Sequence, residues 1–479
     1  VHFPVIIRVT GILLMLFSLL LALPGLLALS LGEPTAPPFF QAFGITLLVG
    51  LVAWLPTRTH RELRSRDGFM ITALFYVGLG LFGALPFYLS SSVSASFVDA
   101  AFESMSGLTT TGATVLSGLD ELPRSLLMYR ALLQWLGGMG IIVLAVAVLP
   151  MLGIGGMQLY RAESPGPGKD SKLTPRITET AKALWYLYLG LTVACAICYR
   201  LAGMSGFDAI AHSFSTVAIG GFSTHDASIG YFDSPLIESV AVVFMVIAGI
   251  NFGLHFMAIR RRNLIPYLRD AEFTFYISVL VGIAIIVCAL LYLGDTDQAL
   301  RKGIFHTVSI ATTTGFTTDD FSLWPSVTPF LLLFAAFAGG CGGSTAGGIK
   351  MMRVLLIYKQ GMREIKRLIH PSGVFPVKLN RRVVSTRVME GVWGFFAAYV
   401  TLFLMILIVV LAISPIDFVT AFSAVGACLN NLGPGLGAVA LDYADLSSPV
   451  KWILIFTMLL GRLEIFTLLV LLTPAFWRR

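Results

Sequence analysis

Residues 310–318 read "IATTTGFTT", three threonines and a glycine set in an otherwise apolar stretch, and near residue 109 the phrase returns as "TTTGAT". A β-branched run ending in glycine makes a poor helix and a poor turn. Its recurrence suggests an internal repeat, and aligning the chain on the glycine reveals four copies centred on Gly112, Gly221, Gly315 and Gly433. Six residues upstream stand Ser106, Ser215 and Ser309, with Ala427 in the fourth copy, and thirteen upstream Asp99 and Asp208 in the first two. The triplets before the glycines are Thr109-Thr110-Thr111, Ala218-Ile219-Gly220, Thr312-Thr313-Thr314 and Asn430-Asn431-Leu432.

Each glycine lies within the same layout: a long apolar span, a short segment of about a dozen residues, the glycine motif, and a second long span. The expected segments are 69–91, 97–109 and 127–150; 182–202, 206–218 and 236–259; 272–293, 301–312 and 327–357; and 391–413, 416–429 and 449–473. A hairpin over roughly 5–30 and 38–56 precedes them. Its first run, "VIIRVTGILLMLFSLLLALPGLLALSL", is too long for a signal-peptide core and reads as a span. The expected architecture is an all-α polytopic membrane protein of ten spans. Four pseudo-symmetric span–pore helix–filter–span repeats surround one pore, with an N-terminal two-helix hairpin beside them. The division is 1–66 for the hairpin, then 67–160, 161–262, 263–370 and 371–479 for the repeats.

Composition agrees. The 479 residues are 56% hydrophobic and 12% charged, against about 25% charged in a soluble domain. Runs of about 20 apolar residues suit membrane helices, and the alternation of a membrane β-barrel is absent. Of the 33 Lys and Arg, 26 fall on Arg8, the loops 57–67, 151–182, 260–272 and 350–390, and the terminal arginine pair. The positive-inside rule makes that side, and both ends of the sequence, cytoplasmic. The opposite loops are acidic, as a cation path would require. No basic stripe interleaved with aromatics suggests nucleic acid. Cys195 and Cys198 form a C-x-x-C within an apolar helix, without a second pair, and read as packing. No H-E-x-x-H, Walker or phosphorylated-Asp signature points to an enzyme.

Every loop joining one copy to the next is basic, so each copy begins and ends in the cytosol. Two full spans already return the chain there. The short segment between them therefore enters from outside and comes back out. Non-helical backbone at membrane depth is tolerated only where it is buried or lines a wet cavity, and four such segments around an axis meet that condition together. Glycine lets consecutive carbonyl oxygens point one way, and a ring of such oxygens replaces the water around a monovalent cation. The C-terminal ends of the short helices add partial negative charge. The candidate ion-binding residues are Thr110, Thr111 and Gly112; Ile219, Gly220 and Gly221; Thr313, Thr314 and Gly315; and Asn431, Leu432 and Gly433. Gly220 and Gly221 both remain candidates for the functional glycine of the second copy.

This pattern resembles the Trk/Ktr/HKT superfamily of potassium transporters. The likeness rests also on "WLGGMGIIVLAVAVLP", "GGCGGSTAGGIK", "CLNNLGPG" and "LLGRLEIFTLLVLL", and it covers essentially the whole chain. It implies K⁺ uptake through one pore per subunit in a bacterial-type inner membrane. It also implies a homodimer and a cytosolic TrkA-like regulatory ring, with the nucleotide bound on that partner. Only the first and third filters read Thr-Thr-Thr-Gly, so modest K⁺/Na⁺ discrimination is expected, with Rb⁺ accepted. A secondary K⁺/H⁺ or K⁺/Na⁺ symporter with alternating access is the alternative.

Below the filter, "AGGCGGSTAGGIKM" places six glycines between 339 and 348, too many for a straight helix at about 1 kcal/mol each. Gly339, Gly340, Gly342, Gly343, Gly347, Gly348 and Lys350 are read as a loop at 339–350 that obstructs the pore until a signal moves it. Arg462, within an apolar span, is expected to face the cavity and touch that loop, and Glu464 to meet a partner elsewhere. Glu103, His212 and His306, nine before their glycines, are expected to anchor the short helices. The basic run 358–387 suits anionic lipid or the regulator, and the linker 161–176 shares that second role.

Overall fold

The computed structural model describes residues 3–57, 65–143, 177–325, 327–380 and 382–478. The linker 161–176 and the far end of the span read as 127–150 lie outside them. Within the described residues the regular structure is helical, apart from an antiparallel pairing of Lys378–Leu379 with Arg382–Val383 in the basic run 358–387.

The hairpin comprises α1 (Phe3–Leu31) and α2 (Ala36–Trp54). The two backbones close on Gly11 and Gly50: a Cβ on Gly11 would stand 2.8 Å from Gly50 O, and one on Gly50 2.9 Å from Gly11 O. Small residues permit this approach where lipid offers no hydrophobic drive between helices. After the turn, the Glu33 carboxylate accepts the N–H groups of Arg124 (2.8 Å) and Ser125 (3.1 Å). An acid at a helix N-terminus satisfies orphan donors and the dipole together, and it fastens the hairpin to the next unit.

That unit contains α3 (Ser65–Gly83), α4 (Leu85–Leu89), α5 (Phe97–Leu108) and α6 (Arg124–Val143). The second has α7 (Ile177–Leu201), α8 (Gly206–Val217), α9 (Pro235–Ala248) and α10 (Phe252–Arg261). The third has α11 (Ile265–Arg269), α12 (Ala271–Leu293), α13 (Ala299–Ala311), α14 (Thr328–Ala338) and α15 (Met351–Ile369). The fourth has α16 (Thr386–Ile413), α17 (Phe418–Asn430), α18 (Ser448–Arg462), α19 (Phe466–Leu472) and α20 (Pro474–Trp477).

The short helices α5, α8, α13 and α17 have 12 or 13 residues, about 18–20 Å of rise against the roughly 30 Å of a hydrocarbon core. Ser96 and Ser205 cap two of them, accepting Asp99 N and Asp208 N, and donate in return to those carboxylates at 2.6 and 2.7 Å. The aspartates thirteen before Gly112 and Gly221 are thus helix-start devices. Each short helix packs against spans of its own unit and against the second span of the preceding unit: α5 on α18, α8 on α6, α13 on α9 and α17 on α14. The fourth unit precedes the first, so the arrangement closes.

Six helices among the described residues are long and apolar enough to cross a bilayer, or eight when each of two bent pairs counts as one span. The bends correct the straight spans expected at 236–259 and 449–473, which turn by 93° between α9 and α10 and by 115° between α18 and α19. At the first, the Asn251 side chain accepts Gly253 N at 2.7 Å and restarts the helix as an N-cap. At the second, Glu464 (φ +52) and Ile465 (φ +20) leave the right-handed region. The span expected at 327–357 ends at Ala338, where Gly339 takes φ +66, and helix resumes only at Met351.

Candidate cation site

Each short helix ends in the same way. The residue two before the filter glycine lies in the left-handed region: Thr110 (φ +52), Ile219 (+54), Thr313 (+66) and Asn431 (+54). Its N–H bonds to the carbonyl three residues back, at 3.0, 3.1, 2.9 and 3.3 Å. The next N–H reaches five residues back, from Thr111, Gly220, Thr314 and Leu432 to Ser106, Ser215, Ser309 and Ala427, at 2.8–2.9 Å. This pair of bonds is the Schellman helix terminus, which normally places glycine at the left-handed position. Here three β-branched residues and an asparagine occupy it, at roughly 1–3 kcal/mol of strain each. With the N–H groups bound back to the helix, the carbonyls are left to face elsewhere. Gly112, Gly221, Gly315 and Gly433 follow at φ +82, +82, +85 and +97, so Gly221, not Gly220, shares the register of the other three.

The four glycines meet in a ring. A Cβ on Gly112 would collide with Gly220 O, one on Gly221 with Thr314 O, and one on Gly315 with Leu432 O. One on Gly433 would stand 2.7 Å from Thr111 O, returning to the first unit. Each glycine thus abuts the carbonyl just before the next glycine, in chain order and back to the start. All four line one open pocket, and the eight residues preceding them in the candidate set are buried, the seven with side chains at 0–1% exposure.

Among the described residues, no hydrogen bond reaches the carbonyls of Thr110, Thr111, Gly112, Ile219, Gly221, Thr313, Thr314, Gly315, Asn431 or Leu432. Gly220 O instead accepts from Gln134 Nε2 at 2.7 Å, while Gln134 Oε1 accepts Phe222 N at 3.0 Å. Gly433 O accepts from Tyr443 at 2.7 Å. In the Thr-Thr-Thr copies the outer hydroxyls pair with each other, Thr109 with Thr111 and Thr312 with Thr314, both at 2.8 Å. The second copy lacks those hydroxyls and is braced by Gln134 from α6. Asn431 Nδ2 reaches across to Thr111 Oγ1 at 3.0 Å, joining the fourth strand to the first.

The outer side is less acidic than its sequence suggests, because several carboxylates are paired. Asp99 meets Lys451 at 2.6 Å, Asp319 meets Lys302 at 2.7 Å, and Glu238 meets Arg301 at 2.7 Å. Buried Glu103 accepts from Arg130 at 2.7 Å and from Val115 N at 3.0 Å, while Arg130 donates to Ser223 O at 2.8 Å and lies 4.2 Å from the Phe222 ring centre. His212 bonds Asp208 O and Ser223 Oγ, both at 2.9 Å, and His306 bonds Lys302 O at 3.0 Å and Asp319 O at 3.2 Å. All three tie a short helix to the loop that follows its own glycine. His225 joins two outer loops, touching Asp120 through Nδ1 with Nε2 3.5 Å from Asp208 Oδ1.

On the inner side, segment 339–350 lies against the ring. Gly347 N donates to Thr313 Oγ1 at 2.7 Å, Gly348 N to Asn430 O at 3.1 Å, and Thr345 Oγ1 to Val217 O at 3.0 Å. A Cβ on Gly347 would collide with Asn430 O, and one on Gly339 with Gly347 O. Gly340 O accepts Met351 N at 2.9 Å, Gly343 O accepts Phe252 N at 3.1 Å, and Gly342 N donates to Glu272 at 2.6 Å. The Lys350 ammonium folds back on Ala346 O. Arg462, 4% exposed, donates to Thr345 O at 3.1 Å and Gly137 O at 2.8 Å. Glu464 pairs with Arg353 at 2.8 Å. Sequence reasoning missed Arg130, Gln134, Glu272 and Tyr443. The available signal for the first two was their i, i+4 spacing on one face of a span.

A family profile described as "TrkH: Cation transport protein" matches residues 35–479. A "Trk system potassium uptake protein TrkH" of Halomonas elongata is 58% identical over 478 residues, 99% of each chain. The protein of that name from Salmonella typhimurium is 54% identical over the whole of both. The crystal structure of the potassium transporter TrkH from Vibrio parahaemolyticus superposes with a TM-score of 0.92 at 52% identity, covering 100% of both chains.

Proposed function

The chain belongs to the TrkH family, and from that membership we propose that it takes up potassium across the cytoplasmic membrane through the four-glycine ring. The single observation behind this reading is the cyclic contact of each filter glycine with the next unit's carbonyl. K⁺ sheds water at the outer pocket and is held by the carbonyls that lack hydrogen bonds, together with the negative ends of α5, α8, α13 and α17. Rb⁺ is accepted by the same oxygens. The filter set is Thr110, Thr111 and Gly112 with their counterparts in the other three units, and the unit boundaries are those expected from the repeats.

Segment 339–350 is the gate in this reading. It sits against Thr313 and Asn430, where it obstructs the inner end of the ring, and Arg462 holds it and adds a positive barrier. Opening follows from a pull by a cytosolic TrkA-like ring that carries the regulatory nucleotide and docks on the basic cytosolic face. The subunit works as a homodimer in the inner membrane, with anionic lipid on the same face and both ends cytoplasmic. Movement is downhill permeation and involves no catalysis. Reconstituted protein should show Rb⁺ uptake that Gly112→Ala abolishes while the variant still inserts. Full uptake by that variant would sink the ring reading.

A further inference from the structure

We propose that Glu272 is a positioning residue that clamps the two feet of segment 339–350 and thereby sets how often the inner path opens. This rests on reading that segment as the gate. Glu272 is the second residue of α12 and is 3% exposed. Its Oε1 accepts Gly342 N at 2.6 Å and Met352 N at 3.1 Å. Gly342 lies in the limb leaving α14, and Met352 in the first turn of α15, just beyond the returning limb. One carboxylate oxygen therefore joins both ends of the segment.

Arg462 provides one other anchor from a charged side chain, donating to Thr345 O. Toward the ring the segment is held by bonds among neutral groups, at Thr313, Asn430 and Val217. Among the described residues, Glu272 is the only carboxylate bonded to its backbone N–H groups. Two donors on one oxygen hold both feet through a single side chain, and six glycines between 339 and 348 give the segment little stiffness of its own. Leaving a buried carboxyl group without its donors is costly, so the segment departs only when water or new donors reach Glu272. The Met352 bond also lies on α15, which continues to basic Lys366 and Arg367 in its last turn. A displacement of α15 breaks the clamp at one foot and frees the other.

The test is Rb⁺ flux into proteoliposomes containing the full chain without regulator, with Na⁺ competition measured alongside. Glu272→Ala should raise basal flux about tenfold, the shift expected from losing two buried hydrogen bonds. Glu272→Gln, which keeps one acceptor oxygen, should fall between it and the parent, and the Rb⁺/Na⁺ ratio should stay at the parent value in both. If Glu272→Ala fails to insert, Glu272→Gln alone decides. A chain lacking 342–347 is the control. Parent-level flux in the Glu272 variants beside raised flux in the control overturns the clamp but not the gate. Parent-level flux in the control overturns both. A changed Rb⁺/Na⁺ ratio in the Glu272 variants also overturns the clamp, because the carboxylate would then act on the filter.

Discussion

At Thr110, Ile219, Thr313 and Asn431 the backbone takes a conformation that costs a β-branched residue most and glycine least. The side chains explain their retention. The Thr313 hydroxyl accepts Gly347 N, Asn431 reaches Thr111, and Ile219 packs with Ala248 and Ala346. The glycines two residues on have the opposite requirement, since the neighbouring carbonyl occupies the space of a Cβ. Gly221→Ala combines roughly 1–2 kcal/mol of left-handed strain with overlap on Thr314 O, and should eliminate Rb⁺ uptake in a chain that still inserts. Gln134→Leu should act differently. It leaves Gly220 O and Phe222 N unpaired at about 1–3 kcal/mol, so the second strand loosens and Na⁺ competition against Rb⁺ should rise more than uptake falls. Much of this was legible in the sequence, because Thr-Thr-Thr-Gly announces itself twice. The choice between Gly220 and Gly221 was not, since two adjacent glycines differ only in the dihedral angles that neighbours impose. Gln134 showed only its i, i+4 spacing from Arg130, since its partner lies 86 residues away.

Among the elements, the four short helices followed from repeat spacing and charge, whereas the breaks at 249–251 and 463–465 did not. Apolar residues run through both breaks, so periodicity continues where the backbone turns. The polar residues Asn251 and Glu464 were the clue. The second break places Arg462 against Thr345 O and Gly137 O, bridging the loop to α6. Arg462→Ala should release that bridge and raise regulator-free Rb⁺ leak by about tenfold, the scale of one hydrogen bond to a charged group; unchanged leak would remove Arg462 from the gate. Outside the membrane, His225 links the loops of the first two units. Burial alone would lower its pKa, but the carboxylates of Asp208 and Asp120 outweigh burial and hold it above the usual histidine value. Both aspartates are pushed down, against the opposing effect of their own burial. The clamp is therefore complete below the unfolded histidine value of about 6.5 and above the lowered aspartate values. It is lost as pH rises through the raised histidine value. Thermal melts should show the parent losing its advantage over His225→Gln as pH rises above about 6.5; a constant difference would mean the ring packs without titrating.

Over the whole molecule, two independent observations give the same cyclic order. The four ring glycines abut carbonyls one unit ahead, and short helices pack on spans one unit behind. A closed ring of parallel units has no pair of inverted halves to rock against each other, which is the geometry that alternating access uses. It has one axis, with segment 339–350 packed against the ring. The four walls are unequal: Thr-Thr-Thr-Gly twice, Ala-Ile-Gly-Gly braced by Gln134, and Asn-Asn-Leu-Gly tied to Thr111. Unequal walls hold the oxygens less uniformly than four identical strands, so selectivity for K⁺ over Na⁺ should be modest. Reversal potentials on reconstituted protein test both consequences at once. With K⁺ gradients imposed across the bilayer, the potential should follow K⁺ with a measurable Na⁺ contribution and should not move when a proton gradient alone is changed. A shift with the proton gradient would require coupled transport, for which the ring provides no second state. Equal permeability to Na⁺ and K⁺ would mean that the unpaired carbonyls are too loosely held to distinguish the two ions.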